Sequence, residues 1–350
     1  MSPPSVIPQG STVLVTGVNG YIGSHVADQL LLAGYKVRGA ARDATKAKWV
    51  QELFDKKYGP GKYESVIVPN MAAEGAYDEA AKGVAGIAHV ASNLSFSTDA
   101  KTVISETIKG ALNVLHAAAK QPTVKRVVLT SSTSAVFHTK PSTPFEVTTE
   151  WWNDEAVKQA WDSVDNPPAP GSPEAALLPV VVYAASKTEE EKACWKFVED
   201  EKPGFEFNTV LPNTNLGPPL SKDQAASTGA WVGQALRGEP EILHWAAAIG
   251  PQHYVDVRDT GRLHVAALTN PSVKSERIFA AAAPFTWAAI FAVLRKAYPD
   301  AKVPDDIPNE VEDTARFKTW GRSVELLKAL GQDGYVSLEE SVKDNAKVYA

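Results

Sequence analysis

The sequence predicts an α/β fold in which helices cover both faces of a parallel sheet. Short, nearly continuous apolar runs alternate with helical stretches through residues 1–212. The first apolar run leads directly into a turn that contains glycines and then into a helix. Strands buried on both faces show this pattern, because crossover helices shield each side of a parallel sheet. We therefore expect a Rossmann-type doubly wound parallel sheet with a smaller C-terminal substrate lobe.

Six strands and two of the helices can be read in order. Each strand-like run is short, apolar and rich in β-branched residues, whereas the helical stretches repeat their apolar residues every three or four positions. In the first helix one apolar stripe is formed by Ile22, Val26, Leu30 and Ala33, and Gly34 is placed to end it. A later helix is expected over 104–120. The predicted strands are 11–16, 36–41, 64–68, 86–91, 126–130 and 207–211.

The chain changes character after Pro212, where tryptophans, prolines and short helical pieces replace the alternation. We expect a dinucleotide-binding domain over 1–212, with a return to it near 251–283, and a smaller lobe formed by 213–250 and 284–350. Between 138 and 179 lies a proline-rich stretch that reads as a long connection. Such a connection is either functional or a solvated decoration, and the sequence leaves both open.

Composition excludes several classes of function. The formal net charge is -6 and no sustained Lys or Arg run is present, which argues against a nucleic-acid partner. No apolar run approaches the roughly 20 residues that span a bilayer, so no membrane partner is expected. Cys194 is the single cysteine, and no secretory start follows Met1, which favours a reducing, cytoplasmic location. The sequence shows no cluster of His, Cys and carboxylate residues that would predict a metal site.

A glycine turn predicts a dinucleotide site. The segment TGVNGYIG lies between the first strand and the first helix, where glycines let the backbone approach a pyrophosphate whose charge the helix N-terminus then meets. The first two glycines of the segment are one residue further apart than in the usual Gly-x-Gly-x-x-Gly fingerprint. The prediction therefore rests on the position of the segment between a strand and a helix. The expected cofactor-binding residues of this turn are Gly17, Asn19, Gly20, Tyr21, Ile22 and Gly23.

The second strand predicts which nicotinamide cofactor is used. An acidic residue that would bind a ribose 2'-hydroxyl is missing, and the strand instead ends with Arg38 and Arg42, followed by Lys46. Guanidinium groups pair well with a 2'-phosphate, so NADPH is favoured over NADH. Asp43 is the counter-evidence, and we interpret it as a surface ion pair with its neighbour Arg42.

Tyr183 and Lys187 are four residues apart, at the expected start of a helix, and so share one helical face. An ammonium beside a phenol can stabilise the phenolate while the phenol remains a proton donor, which suits acid catalysis at a carbonyl oxygen. Any surface pair at helical spacing matches this pattern. The pair gains meaning only with the other motifs.

Three segments in order carry a resemblance: GVNGYIG, LTSST at 129–133 and YAASK at 183–187. The chain resembles the extended short-chain dehydrogenase/reductases, most closely their dihydroflavonol reductase-like branch and its fungal NADPH-dependent aldehyde and carbonyl reductases. The resemblance runs from about residue 11 onwards, is specific at VKRVVLTSST, VYAASKTEEE and LPN, and is loose over roughly the last 60 residues.

The resemblance implies roles for individual residues. Ser132 would hydrogen-bond the substrate carbonyl, Tyr183 would donate the proton, and Lys187 would bind the nicotinamide ribose. A slip of one residue leaves Ser131 and Thr133 open as alternatives to Ser132. The cofactor-binding set further includes Ala91, Pro212 and Asn213.

Phe96, Thr133 and Trp231 are the expected substrate-pocket residues, although aromatic residues at such places also occur in ordinary cores. The expected function is NADPH-dependent reduction of aldehydes, ketones or ketoesters to alcohols. Alternatives are a nucleotide-sugar epimerase or dehydratase of the same fold, or a non-catalytic NADP(H)-sensing protein. The expected partner is a small-molecule carbonyl compound, and the protein is expected to be a monomer or homodimer.

Overall fold

A computed structural model describes residues 5–137, 144–222, 224 and 227–350. Numbered along this part of the chain, the strands are β1 Thr12–Thr16, β2 Lys36–Ala41, β3 Tyr63–Ile67, β4 Gly86–His89, β5 Arg126–Thr130, β6 Phe145–Val147, β7 Glu206–Pro212, β8 Thr214–Leu216, β9 Gln252–Asp256, β10 Arg277–Ala280, β11 Ala283–Phe285 and β12 Ala315–Phe317. The helices are α1 Tyr21–Leu32, α2 Ala44–Tyr58, α3 Ala100–Ala119, α4 Asp154–Asp165, α5 Pro173–Glu201, α6 Ala230–Arg237, α7 Glu241–Ile249, α8 Val257–Thr269, α9 Trp287–Ala297, α10 Trp320–Ala329 and α11 Leu338–Tyr349.

The central sheet has seven strands in the order β10-β7-β5-β4-β1-β2-β3, and every neighbouring pair is parallel. Alternate residues of one strand enter opposite cores: Val13 and Val15 pack with α1, α2 and α8, whereas Leu14 packs with α3 and α5. This two-sided burial explains the continuous apolar strands. The prediction of a doubly wound α/β fold is confirmed.

A smaller set of elements packs beside the carboxyl ends of the sheet. β9 lies between β8 and β11 in a three-stranded sheet, and β6 pairs with β12. Helices α6, α7, α9 and α11 enclose a separate core around Trp231 and Trp287. In the predicted return, α8 and β10 pack with the main sheet, whereas β9 does not join it. Leu326 and Leu327 of α10 also belong to the main core, so the division into two lobes stays a prediction.

The proline-rich stretch is not the long connection that we expected. It contains β6, α4 and the first turns of α5, and residues 138–143 lie outside the described part. Asn153 caps α4 by accepting from the amide of Ala156, and Ser172 caps α5. Pro173 takes the first helical position, where a missing N–H costs nothing. Tyr183 therefore lies inside a long helix, and its expected place at a helix start is wrong.

One buried histidine links the sheet to α8. His264 Nδ1 lies 2.8 Å from the carbonyl oxygen of Thr260, and its Nε2 lies 2.7 Å from the hydroxyl of Thr130 in β5. Because a carbonyl only accepts, Nδ1 carries the proton, so Nε2 accepts from Thr130. Burial lowers the pKa of His264 to about 4, and the ring is therefore neutral in the folded protein.

This histidine should make the fold sensitive to mild acid. Its folded pKa lies below the ordinary value of 6.5, so the unfolded chain binds the extra proton and stability falls as the pH drops from about 6.5 to about 4. Between pH 7 and pH 5 the loss from this group is about 2 kcal/mol. We expect His264→Gln to lose that part of the pH dependence in urea unfolding. Replacement of the exposed His116 by Gln should leave the dependence intact, and an unaltered slope in His264→Gln would contradict the assignment.

Candidate active site

The turn between β1 and α1 requires its glycines. Gly17 has a φ of +63°, and a Cβ there would lie 2.9 Å from the backbone of Ala91. A Cβ at Gly23 would overlap the carbonyl oxygen of Gly17. These close approaches bring the turn against the end of β4, where Ala91 donates its amide to the hydroxyl of Thr16 at 3.0 Å. The turn therefore lies at the carboxyl edge of the sheet, where ligands bind in open parallel sheets.

The N-terminus of α1 offers donors to an anion. Gly20 precedes the helix and provides no side-chain cap, and the amide of Ser24 is bonded to the carbonyl of Gly20 at 3.0 Å. The earlier amides, those of Tyr21, Ile22 and Gly23, therefore have no intrahelical acceptor. A pyrophosphate fits such a site because the helix dipole adds to these donors.

Asn19 and Tyr21 contact the chain after β8 rather than an open cleft. The Tyr21 hydroxyl donates to the carbonyl of Gly217 at 2.6 Å, and burial raises the pKa of Tyr21 well above its ordinary value. The side-chain amide of Gln224 reaches the carbonyl of Gly20 at 2.9 Å and that of Asn19 at 3.5 Å. For Tyr21 the backbone amide rather than the side chain is thus the candidate for cofactor contact, and the expected role of Asn19 stays a prediction.

The structure separates the three cations predicted to read the cofactor. Arg38 donates to Glu64 at 2.6 Å and to the carbonyls of Ala80 and Lys82 at 2.9 and 2.7 Å, so its guanidinium ties β2 to β3 and to the segment before β4. These bonds occupy its Nε and Nη1 donors, so Arg38 is less suited to a 2'-phosphate than a guanidinium without such partners, and its expected cofactor contact stays a prediction. Arg42, just after β2, and Lys46, in the first turn of α2, are both exposed.

Asp43 has a structural explanation that differs from the expected ion pair. Its carboxylate accepts from the amide of Lys46 at 2.8 Å and thereby caps α2. The acid that follows Arg42 is therefore accounted for without a ribose. Ala41, at the end of β2, is buried and carries no acidic group.

The three hydroxyl residues after β5 have different environments. Ser131 donates to Glu191 at 2.7 Å and is buried, and Thr133 is 5% exposed. Ser132 is half-buried, and its oxygen accepts from the amide and the hydroxyl of Ser134 at 3.2 and 2.9 Å. Both of these bonds use Ser132 as acceptor, which leaves its own O–H to donate. Of the three hydroxyls, Ser132 is the one suited to a substrate oxygen.

Tyr183 and Lys187 lie on the face of α5 that meets the sheet edge. Tyr183 is half-buried, whereas the side chain of Lys187 is 3% exposed. Lys187 Nζ lies 2.5 Å from a carboxylate oxygen of Glu190 and 3.4 Å from the hydroxyl of Ser92. Burial alone would lower the pKa of Lys187, but the charges of Glu190 and the nearby Tyr183 outweigh it and raise the pKa. The lysine is therefore a buried cation.

Pro212 and Asn213 follow the neighbouring strand at the same edge. Pro212 ends β7, and the amide of Asn213 donates to the carbonyl of Ala280 at 3.0 Å. Its side-chain oxygen accepts from the amide of Thr214 at 2.8 Å. Because β1, β4, β5 and β7 are parallel neighbours, the residues after them share one edge of the sheet.

An aromatic wall faces Tyr183. Phe96 has a φ of +49° and is 39% exposed, and its ring lies 5.5 Å from that of Tyr183 and 6.1 Å from that of Trp245. Trp231, by contrast, is 6% exposed and stacks 5.4 Å from Trp287 in the core of the smaller sheet's helices. Phe96 is thus placed to contact a substrate, and Trp231 reaches that region only through Trp245, whose ring is 6.1 Å away.

Sequence reasoning missed Trp245 and Glu190. Trp245 lies in EILHWAAAI, an apolar helical stretch that does not distinguish a pocket wall from a core residue. Glu190 belongs to a run of three glutamates that reads as a solvated helix face. Its one usable signal was the spacing of three residues from Lys187.

Within 5–137, 144–222, 224 and 227–350 no group of three or more His, Cys, Asp or Glu residues could hold a metal ion. In the same ranges, no helix is long and apolar enough to cross a membrane. Cys194 is buried, and burial raises the pKa of its thiol well above the ordinary value. It packs in the core of the sheet rather than at the site.

A family model described as "NAD dependent epimerase/dehydratase family" matches residues 13–157. The chain is 42% identical to aldehyde reductase 2 of Sporidiobolus salmonicolor, covering 97% of this chain and 96% of that protein. It is 39% identical to ketoreductase adrE of Penicillium rubens, again with 97% and 96% covered.

The fold also matches a solved reductase. The structure of yeast methylglyoxal/isovaleraldehyde reductase Gre2 complexed with NADPH superposes with a TM-score of 0.78 at 27% identity, covering 97% of this chain and 98% of that one. These likenesses extend over nearly the whole chain. The chain therefore belongs to the NAD dependent epimerase/dehydratase family, that is, to the extended short-chain dehydrogenase/reductases.

Proposed function

We propose that this protein is an NADPH-dependent reductase that converts the carbonyl of aldehydes, ketones or ketoesters to an alcohol, with Ser132, Tyr183 and Lys187 as its catalytic set. The observation that carries the proposal is the placement of the buried Lys187 cation on the same face of α5 as a half-exposed tyrosine. The names of the similar aldehyde reductase, ketoreductase and NADPH-bound reductase support the same chemistry.

Two anchors hold α5 beside the serine segment. Ser131 donates to Glu191 at 2.7 Å, and the hydroxyl of Thr188 lies 3.4 Å from the carbonyl of Ala135. The first bond involves the residue before Ser132. The second joins the chain just after Ser132 to the residue that follows Lys187 in α5. The arrangement favours Ser132 and Tyr183 converging on one substrate oxygen.

Bound NADPH would supply the hydride for the carbonyl carbon. As negative charge grows on the carbonyl oxygen, the O–H of Ser132 donates a hydrogen bond and Tyr183 donates its proton. Lys187 stabilises the tyrosinate that remains and offers donors to a ribose. Phe96 beside Tyr183 would exclude water from this face and favours an apolar group next to the substrate carbonyl.

The residues present fit NADPH. The uncapped start of α1 suits the pyrophosphate, and the exposed Arg42 and Lys46 suit the 2'-phosphate. With Arg38 committed to Glu64, Arg42 is the guanidinium that we assign to the phosphate. Ala41 cannot bind a ribose 2'-hydroxyl.

The alternatives make different demands. An epimerase or dehydratase would keep its cofactor bound and regenerate it, so it would not consume NADPH with a simple aldehyde. An NADP(H)-sensing protein needs no tyrosine and lysine pair, and their retention counts against it. An assay of a carbonyl panel with NADPH and NADH in parallel separates the reductase from both alternatives: stoichiometric NADPH loss supports the reductase, whereas tight cofactor binding without net NADPH loss supports one of the other two.

Removal of the proton donor should abolish most turnover without affecting cofactor affinity. Tyr183→Phe removes the hydroxyl but keeps the ring against Phe96. Because the proton donor is lost, we expect kcat to fall by about 10²- to 10⁴-fold, the usual contribution of general acid catalysis. NADPH binding, followed by its fluorescence on titration, should stay within about twofold of the wild-type value. Unchanged turnover in this variant would remove Tyr183 from the mechanism.

The choice between neighbouring serines can be tested directly. Ser132→Ala removes a donor to the developing oxyanion, so kcat should fall by about 10²- to 10³-fold with little change in thermal stability. Ser131→Ala removes a buried bond to Glu191 and should instead cost about 1 kcal/mol of unfolding free energy while retaining most of kcat. The opposite pattern would assign the catalytic role to Ser131.

Arg42 should govern the choice of cofactor. Arg42→Ala removes a charge-assisted bond to the 2'-phosphate, so Kd for NADPH should rise about 10- to 100-fold while Kd for NADH stays constant. Arg38→Ala is the matched control, because it removes a guanidinium that binds Glu64 and two carbonyls. It should lower stability and leave the NADPH to NADH preference unchanged. If Arg38→Ala changes this preference as much as Arg42→Ala does, both arginines bind the 2'-phosphate, as the sequence predicts.

A further inference from the structure

Glu190 is a buried carboxylate with a single partner. Its side chain is 0% exposed, and Oε2 lies 2.5 Å from Lys187 Nζ. Its other oxygen, Oε1, is buried without a hydrogen-bond partner among the described residues. Burial of a carboxylate is costly unless its bonds are satisfied, so this glutamate is not explained by the stability of the fold.

The adjacent Glu191 shows the contrast. Its carboxylate accepts from Arg277 at 2.8 and 3.1 Å, from Ser131 at 2.7 Å and from Thr209 at 2.9 Å. Trp195 contributes a further bond at 3.3 Å. Glu191 thus ties α5 to β7, to β10 and to the segment after β5, whereas among the described residues Glu190 hydrogen-bonds only to Lys187 of the candidate site.

The charged and titratable groups around Glu190 are few. On α5 they are Lys187, Glu191, the neutral thiol of Cys194 and, one turn before Lys187, Tyr183. Burial raises the pKa of Glu190 to about 7, Lys187 opposes this rise and Glu191 adds to it. The carboxylate is therefore ionised in the alkaline range, where a tyrosine titrates.

His89 faces the lysine from β4. Thr16 accepts from the amides of Val90 and Ala91 at 3.0 Å, so its hydroxyl hydrogen goes to His89 Nδ1 at 2.8 Å. Burial and the charge of Lys187 lower the pKa of His89 to about 3. The histidine is neutral and adds no second cation.

We propose that Glu190 is a positioning residue that holds the Lys187 ammonium and weakens its electrostatic effect on Tyr183, so that the tyrosine stays protonated to a higher pH than Lys187 alone would allow. The inference rests on the proposed function of Tyr183 as proton donor. A carboxylate 2.5 Å from the ammonium cancels part of its field. Its own charge, seven residues along the helix and so about 10 Å from Tyr183, also opposes formation of a tyrosinate.

This arrangement suits an enzyme that works as a reductase. A lysine without a counterion would favour the tyrosinate more strongly and deplete the donor form at alkaline pH. With Glu190 in place, Lys187 still binds a ribose through its remaining donors while the phenol keeps its proton. Ser92, at 3.4 Å, provides a second contact that fixes the ammonium.

The test measures the ionisation of Tyr183 itself, on the whole chain. Tyrosine labelled with 13C at Cζ gives a resonance for Tyr183 that is identified by its loss in Tyr183→Phe. We expect Glu190→Gln to lower the midpoint of this resonance by about one pH unit, as removal of a charge about 10 Å away at an effective dielectric constant near 20 implies. Glu189→Gln removes the same charge from a half-buried position on a different face of the helix, where water screens it, and should therefore move the midpoint by much less.

A midpoint that is the same in Glu190→Gln and the wild type overturns the proposal. If Glu190→Gln does not fold, Glu190→Asp keeps the charge but withdraws it by one methylene, and its midpoint should fall by a smaller amount; an unchanged value there also overturns the proposal. Wild-type turnover on the carbonyl panel is scored separately. A shifted midpoint without turnover sinks the reductase function alone, and turnover without a shift sinks the role of Glu190 alone.

Discussion

The candidate site depends on the hydrogen bonds and the ion pair that the buried carboxylate of Glu191 accepts. Through Arg277 it reaches β10, through Thr209 β7, and through Ser131 the chain just beyond β5. Because each lone pair of this carboxylate accepts a hydrogen bond, its negative charge can be buried. The bonds fix the rotation of α5 over the sheet edge, and this rotation decides that Tyr183 and Lys187 face the cleft rather than solvent.

The opposite side of the cleft rests on close backbone packing. Gly17 and Gly23 let the turn fold against Ala91 and against itself, which brings the free amides of α1 to the edge where the strands end. Gln224 and Tyr21 then bind this turn to the chain that follows β8. The glycine turn and the chain that follows β8 are thereby joined by hydrogen bonds to backbone carbonyls.

The residues between these two sides are the ones to which the proposed function gives chemistry and selectivity. A buried lysine, a carboxylate with one oxygen unpaired and a neutral histidine lie close together at low exposure. Such a group is costly to bury, and functional sites are where proteins accept that cost. Phe96 and Trp245 form the apolar boundary, so in the proposed function the catalytic groups and the groups that would contact the substrate are different side chains.

The sequence by itself determined the sheet, the glycine turn and the Tyr183 and Lys187 pair, because strand periodicity, glycine positions and helical spacing are local properties. Only the tertiary structure decided between chemically equivalent neighbours. In the structure Arg38 pairs with Glu64, whereas Arg42 is exposed. Ser131 donates to Glu191, whereas the hydroxyl hydrogen of Ser132 is left to donate elsewhere. The tertiary structure also turned Glu190 inward. A side chain's partners come from distant parts of the chain, and no local pattern records them.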